Sequence, residues 1–128
     1  MNEFDLQARQ FANKYGVKLT ILDEDYGPFF PEDKESRSIF KCRLSRGRKS
    51  YTFRFGQSLA RAGEEPTMYD ILAILQKSDP EDFENFCSEY GYDTDSRRAY
   101  NTWKAVTKEW KAVERLFGDC LEELWDIN

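Results

Sequence analysis

Histidine is missing altogether from these 128 residues. That removes Ser–His and Cys–His nucleophilic systems, imidazole acid–base catalysis and nearly every catalytic zinc site. The glycine loops that cradle phosphates are missing too, since neither G-x-G-x-x-G nor G-x-x-x-x-G-K-[ST] occurs. Cysteine is scarce. Cys42, Cys87 and Cys120 are odd in number, lie far apart and form no C-x-x-C pair. They predict small buried apolar side chains in a reducing compartment and no disulfide framework. Long hydrophobic runs are absent: the longest aliphatic stretch, Ile71 to Leu75, falls far short of the ~20 residues of a membrane span. The first residues, Met1 to Asp5, lack a basic segment followed by an apolar one, so no signal peptide is expected. A soluble cytoplasmic protein, without cofactor or metal, is the expectation.

What is present is charge and aromatic rings. Apolar residues make up 40% of the chain, too much for a disordered segment, and aromatics 16%, which predicts a core built on rings with some to spare for a surface. The net charge is −5. That argues against generic nucleic-acid binding by the whole molecule while leaving room for a local basic patch.

Periodicity divides the chain into an α+β order. Phe4, Ala8, Phe11 and Tyr15 share one helical face, and Gly16 supplies a stop. Val17 to Leu22 alternates as a strand, and Asp23 to Pro28 is expected to end it. Pro28 and Pro31 bracket a loop whose rings, Phe29 and Phe30, either cap the core or face a partner. Ser38–Ser45 and Arg48–Phe55 read as a hairpin. Phe40, Cys42, Leu44, Tyr51, Phe53 and Phe55 lie on one side of it. Lys41, Arg43, Ser50, Thr52 and Arg54 lie on the other. Beyond residue 57 the pattern is helical. Thr67 and Asp70 form a capping box, and the helix they open is apolar almost all round, which predicts burial. Ser78-Asp79-Pro80 reads as the next helix start, with Phe83, Phe86, Cys87 and Tyr90 as its stripe and Gly91 as its end. Asp93 or Asp95 is expected to cap the last helix. That helix carries Ala99, Trp103, Val106, Trp110, Val113, Phe117, Leu121 and Leu124 in near-heptad spacing. Trp103 and Trp110 belong to this seam and are expected in the core, with Trp125 more exposed. The carboxylates after Gly118 suit the start of a new helix better than the end of an old one, so a break is expected there. The architecture follows as one domain over 1–128. A helix and a three-stranded antiparallel sheet fill 1–56, and 57–128 form three to four helices packed on one sheet face.

Charge is segregated along the chain. Residues 37–61 hold eight basic side chains and no acid; residues 64–96 hold ten acids against Lys77 alone. These runs could neutralise each other across the fold. Left free, they offer two binding surfaces. Glu81, Asp82, Glu84, Glu89, Asp93 and Asp95 would imitate a row of phosphates and fill the nucleic-acid groove of another protein. Lys41, Arg43, Arg46, Arg48, Lys49 and Arg54 would instead track a phosphate backbone. Catalytic readings find little. Asp23 or Asp25 with Glu32-x-Lys34 echoes the acid-plus-ExK pattern of metal-dependent nucleases, yet Pro31 places the triplet in a loop, and Glu109-x-Lys111 repeats it by chance. Asp93-x-Asp95 begins like a calcium loop but continues with Arg97 and Ala99 and reaches Lys104 at its twelfth position. The chain is expected not to be an enzyme.

Four stretches carry a resemblance: Pro66-Thr67-Met68-Tyr69-Asp70-Ile71-Leu72, Phe83-x-x-Phe86-Cys87-Ser88-Glu89-Tyr90-Gly91-Tyr92-Asp93, Asp95-Ser96-Arg97-Arg98-Ala99 and Val113-Glu114-Arg115-Leu116-Phe117-Gly118. Together with Pro31-x-Asp33-Lys34 and Leu44-Ser45-Arg46-Gly47, the chain resembles a group of short uncharacterised proteins encoded by phages and mobile elements. That resemblance implies context and no site residues. Small acidic phage proteins without catalytic residues are similar in size and composition to inhibitors of host defence such as anti-CRISPR proteins. The expected activity is therefore inhibition of a host defence complex, a Cas effector in particular, through the acidic surface. The alternatives are a nucleic-acid-binding accessory protein using the hairpin 41–54 and a structural or assembly protein.

Overall fold

A computed structural model describes residues 2–127. A first helix, α1 (Glu3–Tyr15), leads into three strands, β1 (Val17–Gly27), β2 (Arg37–Arg46) and β3 (Lys49–Gly56). The helices α2 (Met68–Gln76), α3 (Phe83–Tyr90), α4 (Arg97–Phe117) and the short α5 (Leu121–Leu124) follow. The sheet is antiparallel in the order β1-β2-β3. The α+β order read from the sequence is the fold.

Local chemistry accounts for most boundaries. Asn2 caps α1 by accepting from the Asp5 backbone N–H at 2.8 Å, and Gly16 ends it in the left-handed region. A two-residue turn, Gly47-Arg48, joins β2 to β3 with Arg46 opposite Lys49 and Gly47 at φ 61°. The capping box of α2 is complete: Asp70 N–H donates to the Thr67 hydroxyl at 3.1 Å and Thr67 N–H to the Asp70 carboxylate at 2.9 Å.

Phe40, Cys42 and Leu44 of β2 and Phe55 of β3 face the core, where they meet Ile71, Leu72 and Leu75 of α2 and Trp110, Val113 and Phe117 of α4. The cysteines are all free and buried. Burial pushes the Cys42 thiol up to about 11, with the Glu65 carboxylate adding to the shift. The C-terminal segment is pinned by Gln76, whose side-chain amide donates to the carbonyls of Leu124 and Ile127, each at 2.6 Å.

Several expectations need correction. β1 does not stop at Leu22 but runs to Gly27 through a bulge between Ile21 and Asp23. The acidic residues stay extended because β2 supplies backbone partners along that length, and a solvent-facing half-strand leaves no apolar alternation to read. Ser78-Asp79-Pro80 does not open α3; it closes α2. The Ser78 hydroxyl donates back to the Ile74 carbonyl at 2.7 Å, and the Asp79 carboxylate accepts from Glu81 N–H at 2.9 Å. Asp82 is the residue that caps α3. α4 is capped by Ser96, not by Asp93 or Asp95, with Asp93 holding the preceding turn through Asp95 N–H. α2 is not buried all round, because Ile74 is 44% exposed. On α4, Trp110 is buried as expected, but Trp103 is only half-buried. α4 does break at Gly118, where the chain passes through a short 3-10 turn into α5.

Phe29 and Phe30 cap something other than the main core. A Cβ on Gly56 would stand 2.9 Å from the Phe29 ring, so the missing side chain admits Phe29 onto the outer side of the sheet. There the Arg54 guanidinium lies 4.7 Å from its ring centroid and donates to its carbonyl at 3.1 Å. Phe30 packs edge-on against Phe29 and is itself exposed.

Candidate functional site

The charge segregation of the sequence becomes a spatial one. The helices pack on the core side of the sheet, with α4 against β2 and β3, α1 against β1 and α2, and α3 against α4. The opposite side of the sheet carries the cations, and α3 with its flanking loops carries the acids. Among the described residues, no ion pair joins these sheet cations to the acids around α3, although Arg61 of the basic run pairs with Glu64 at 2.8 Å and Asp70 at 2.9 Å of the acidic one.

On the sheet, register decides what the cations can do. Lys41 and Arg43 of β2 and Arg54 of β3 point away from the core and are exposed. Asp23 aligns with Lys41, and Lys41 with Arg54, so an acid joins the cationic row. Arg54 is already engaged with Phe29. The hairpin rings Tyr51, Phe53 and Phe55 face the other way, so the outer face has no row of rings on which bases could stack. Arg48 and Lys49 are exposed at the turn. Arg46 is withdrawn from any such patch. Its guanidinium donates to the Tyr15 carbonyl at 3.0 Å, the Phe117 carbonyl at 2.7 Å and the Asp119 carboxylate at 3.0 Å. It thus ties the ends of α1, β2 and α4 together. Hydrogen bonding from Arg46 is the main reason the Asp119 carboxyl lies below its ordinary range. Beside this latch, Tyr15 donates to the Glu123 carboxylate, which also pairs with Lys14 at 3.4 Å.

Around α3, Asp79, Glu81, Asp82, Glu84, Glu89, Asp93 and Asp95 are all exposed, and none forms an ion pair among the described residues. They do not make one row. Glu84 and Glu89 are five residues apart on the helix, so they diverge by about 140° around its axis. Asp82 and Asp93 are committed to a cap and a turn. What the structure does bring together is Asp79, Glu81 and Glu89, which line one groove with Lys77, Tyr90 and Trp125. Glu81 holds a left-handed conformation at φ 55°. Its carbonyl accepts from the indole N–H of the half-buried Trp103 at 3.2 Å. The N-terminal end of α3 docks on α4 through Phe83, which lies 5.5 Å from Tyr100 and 5.6 Å from Trp103.

Beside this groove, and sharing Lys77 and Tyr90 with it, is a cleft of about 300 Å3. Its walls come from four elements: Tyr51 of β3, Leu75 of α2, Phe86 and Tyr90 of α3, and Val106, Glu109 and Trp110 of α4, with Tyr92 beyond α3. Burial raises the Tyr51 phenol, and the Glu109 carboxylate raises it further. Sequence reasoning missed this cleft. Tyr51, Phe86, Tyr90 and Trp110 each read locally as a strand-face or helix-stripe residue, and no spacing relates Tyr51 to Tyr90.

Asp23 and Asp25 lie on β1, whereas Glu32 and Lys34 are exposed in the following loop. Among the described residues, no group of three or more carboxylates and thiols is placed to hold a metal ion, and no helix is long and apolar enough to cross a membrane. The chain matches no family model, no curated protein and no solved structure.

Proposed function

We propose that this chain is a phage-encoded inhibitor that binds a host defence protein in the bacterial cytoplasm, a Cas effector in its most concrete form, and blocks that protein's positively charged nucleic-acid channel. The observation that carries the reading is the convergence of Asp79, Glu81 and Glu89 on one groove beside the exposed rings of Tyr90 and Trp125, with none of these carboxylates engaged in an ion pair among the described residues. Carboxylates left free of internal partners keep their field for an outside one, and neighbouring rings supply area that desolvates the contact. Glu84, Asp95, Asp82 and Asp93 extend the field around this centre. The lack of imidazole and phosphate-loop chemistry supports action by occupancy without catalysis.

The test is inhibition of target-DNA binding across a panel of purified, guide-loaded Cas effectors. Wild-type protein blocks one of them, and the triple variant Asp79→Lys, Glu81→Lys, Glu89→Lys does not. If no effector is blocked, the defence reading fails. If the triple variant inhibits as well as wild type, the acidic docking face fails.

A second reading, nucleic-acid binding by Lys41, Arg43, Arg48, Lys49 and Arg54, draws on the outer sheet face being free of helices. It requires a gel shift that weakens steeply with salt. The alignment of Asp23 with Lys41 and the commitment of Arg46 to the latch count against it.

A further inference from the structure

We propose that the cleft between β3, α2, α3 and α4 is a socket for a single arginine side chain of the protein partner. This inference rests on the acidic-docking reading above and names what that surface grips.

Size comes first. At about 300 Å3 the cleft stands at the lower end of ligand pockets, which suits one long side chain better than a drug-sized molecule. Its chemistry comes second. Tyr51, Tyr90, Tyr92 and Trp110 line it, so rings from three elements and a loop border the space, and Glu109 is the carboxylate among its lining residues. A guanidinium is the group that uses both: it stacks flat on rings and donates two hydrogen bonds to one carboxylate. A neutral apolar side chain would leave Glu109 unused. An ammonium would gain the charge but not the flat stacking. Placement comes third. The cleft shares Lys77 and Tyr90 with the groove of Asp79, Glu81 and Glu89, so a basic surface drawn to those acids arrives with its side chains at the cleft. Cations are present too. Lys77 lines both hollows, and Arg97 and Arg98 line a further groove that shares Glu109 with the cleft. Lys77 therefore competes with the incoming guanidinium, which makes it a useful probe.

The experiment uses the whole protein and a short glycine–lysine peptide carrying one central arginine, alongside a twin with neutral citrulline in that position. Amide-resolved NMR reports where each binds and how tightly. The arginine peptide is expected to shift Tyr51, Tyr90 and Val106 and to bind about tenfold more tightly than its twin. Glu109→Gln and Tyr90→Ala should each erase most of that preference, and Lys77→Gln should enlarge it about twofold to threefold. Val106→Trp, which fills the cleft, should abolish the preference while leaving the lysine-driven shifts at Asp79, Glu81 and Glu89. Equal binding of the two peptides with shifts confined to those acids overturns the socket and leaves the acidic docking face standing. Binding of neither peptide overturns both.

Discussion

Two regions of this protein are rich in charge and use it in opposite ways. Where α1, β2 and α4 end together, the Arg46 guanidinium donates to two backbone carbonyls and Asp119, and Glu123 takes up Tyr15 and Lys14 alongside. Around α3, seven carboxylates between Asp79 and Asp95 hold caps and turns at most, and none meets a cation among the described residues. Charge that has found internal partners stabilises the fold. Charge left without them is a field directed outward, and the proposed function puts the partner there.

Each side of this contrast predicts its own response to substitution. The largest effect is expected on the α3 side. The triple reversal of Asp79, Glu81 and Glu89 should weaken partner binding about a hundredfold or more, since like charges then face a basic surface. The same variant should unfold within about 1 kcal/mol of wild type, because exposed unpaired charges contribute little to stability. A large loss of stability on denaturant titration would place these acids inside the fold's own electrostatics and erase the contrast.

At the latch the order reverses. Arg46→Ala removes three charge-assisted hydrogen bonds and should cost about 2–3 kcal/mol in denaturant unfolding, with no change in partner affinity. Arg46→Lys keeps the charge but loses the fork, so it should recover less than half of that loss.

Gly56→Ala is a smaller intervention on the sheet's outer side. The added Cβ would collide with the Phe29 ring, and displacing that ring should cost about 1–2 kcal/mol. Loss of protection in the loop around Phe29 by hydrogen exchange, with β2 unaffected, is the expected pattern.

The smallest effect is on pH dependence. Asp119 is held below its ordinary value of 3.8 by Arg46 first, and Glu123 below its ordinary 4.5 by the Tyr15 hydroxyl first. A depressed folded-state value contributes stability that is complete above the ordinary value and lost as pH falls through the folded one. Acidification from about pH 5 to pH 3 should therefore lower the unfolding midpoint, and Arg46→Ala should flatten the part due to Asp119. An unchanged slope in that variant would show that the latch carries no linkage.

Reading from residues to surfaces succeeded where the signal was local. The alternation of Phe40, Cys42 and Leu44, the Thr67–Asp70 box and the run of carboxylates after Gly118 each act within a few residues, so the core face of β2, the start of α2 and the break in α4 were legible. The second half of β1 was not, because Asp23 to Gly27 are extended by pairing with Arg37 to Lys41, which lie ten or more residues onward. The same limit holds for the candidate surface. Carboxylates could be counted along the chain, but helix geometry splits Glu84 from Glu89, and the turn at Ser78–Glu81 brings Asp79 to the groove.

The sequence by itself determined the α+β order, the aromatic core, the absence of imidazole and phosphate-loop chemistry, and the separation of basic from acidic residues, because composition and short periodicities are properties of neighbours. Only the tertiary structure decided that Arg46 is a latch, that Asp79, Glu81 and Glu89 share a groove, and that Tyr51, Tyr90 and Trp110 enclose a cleft with Glu109. Those relations join side chains from separate elements, and their distances are set by how the helices pack on the sheet.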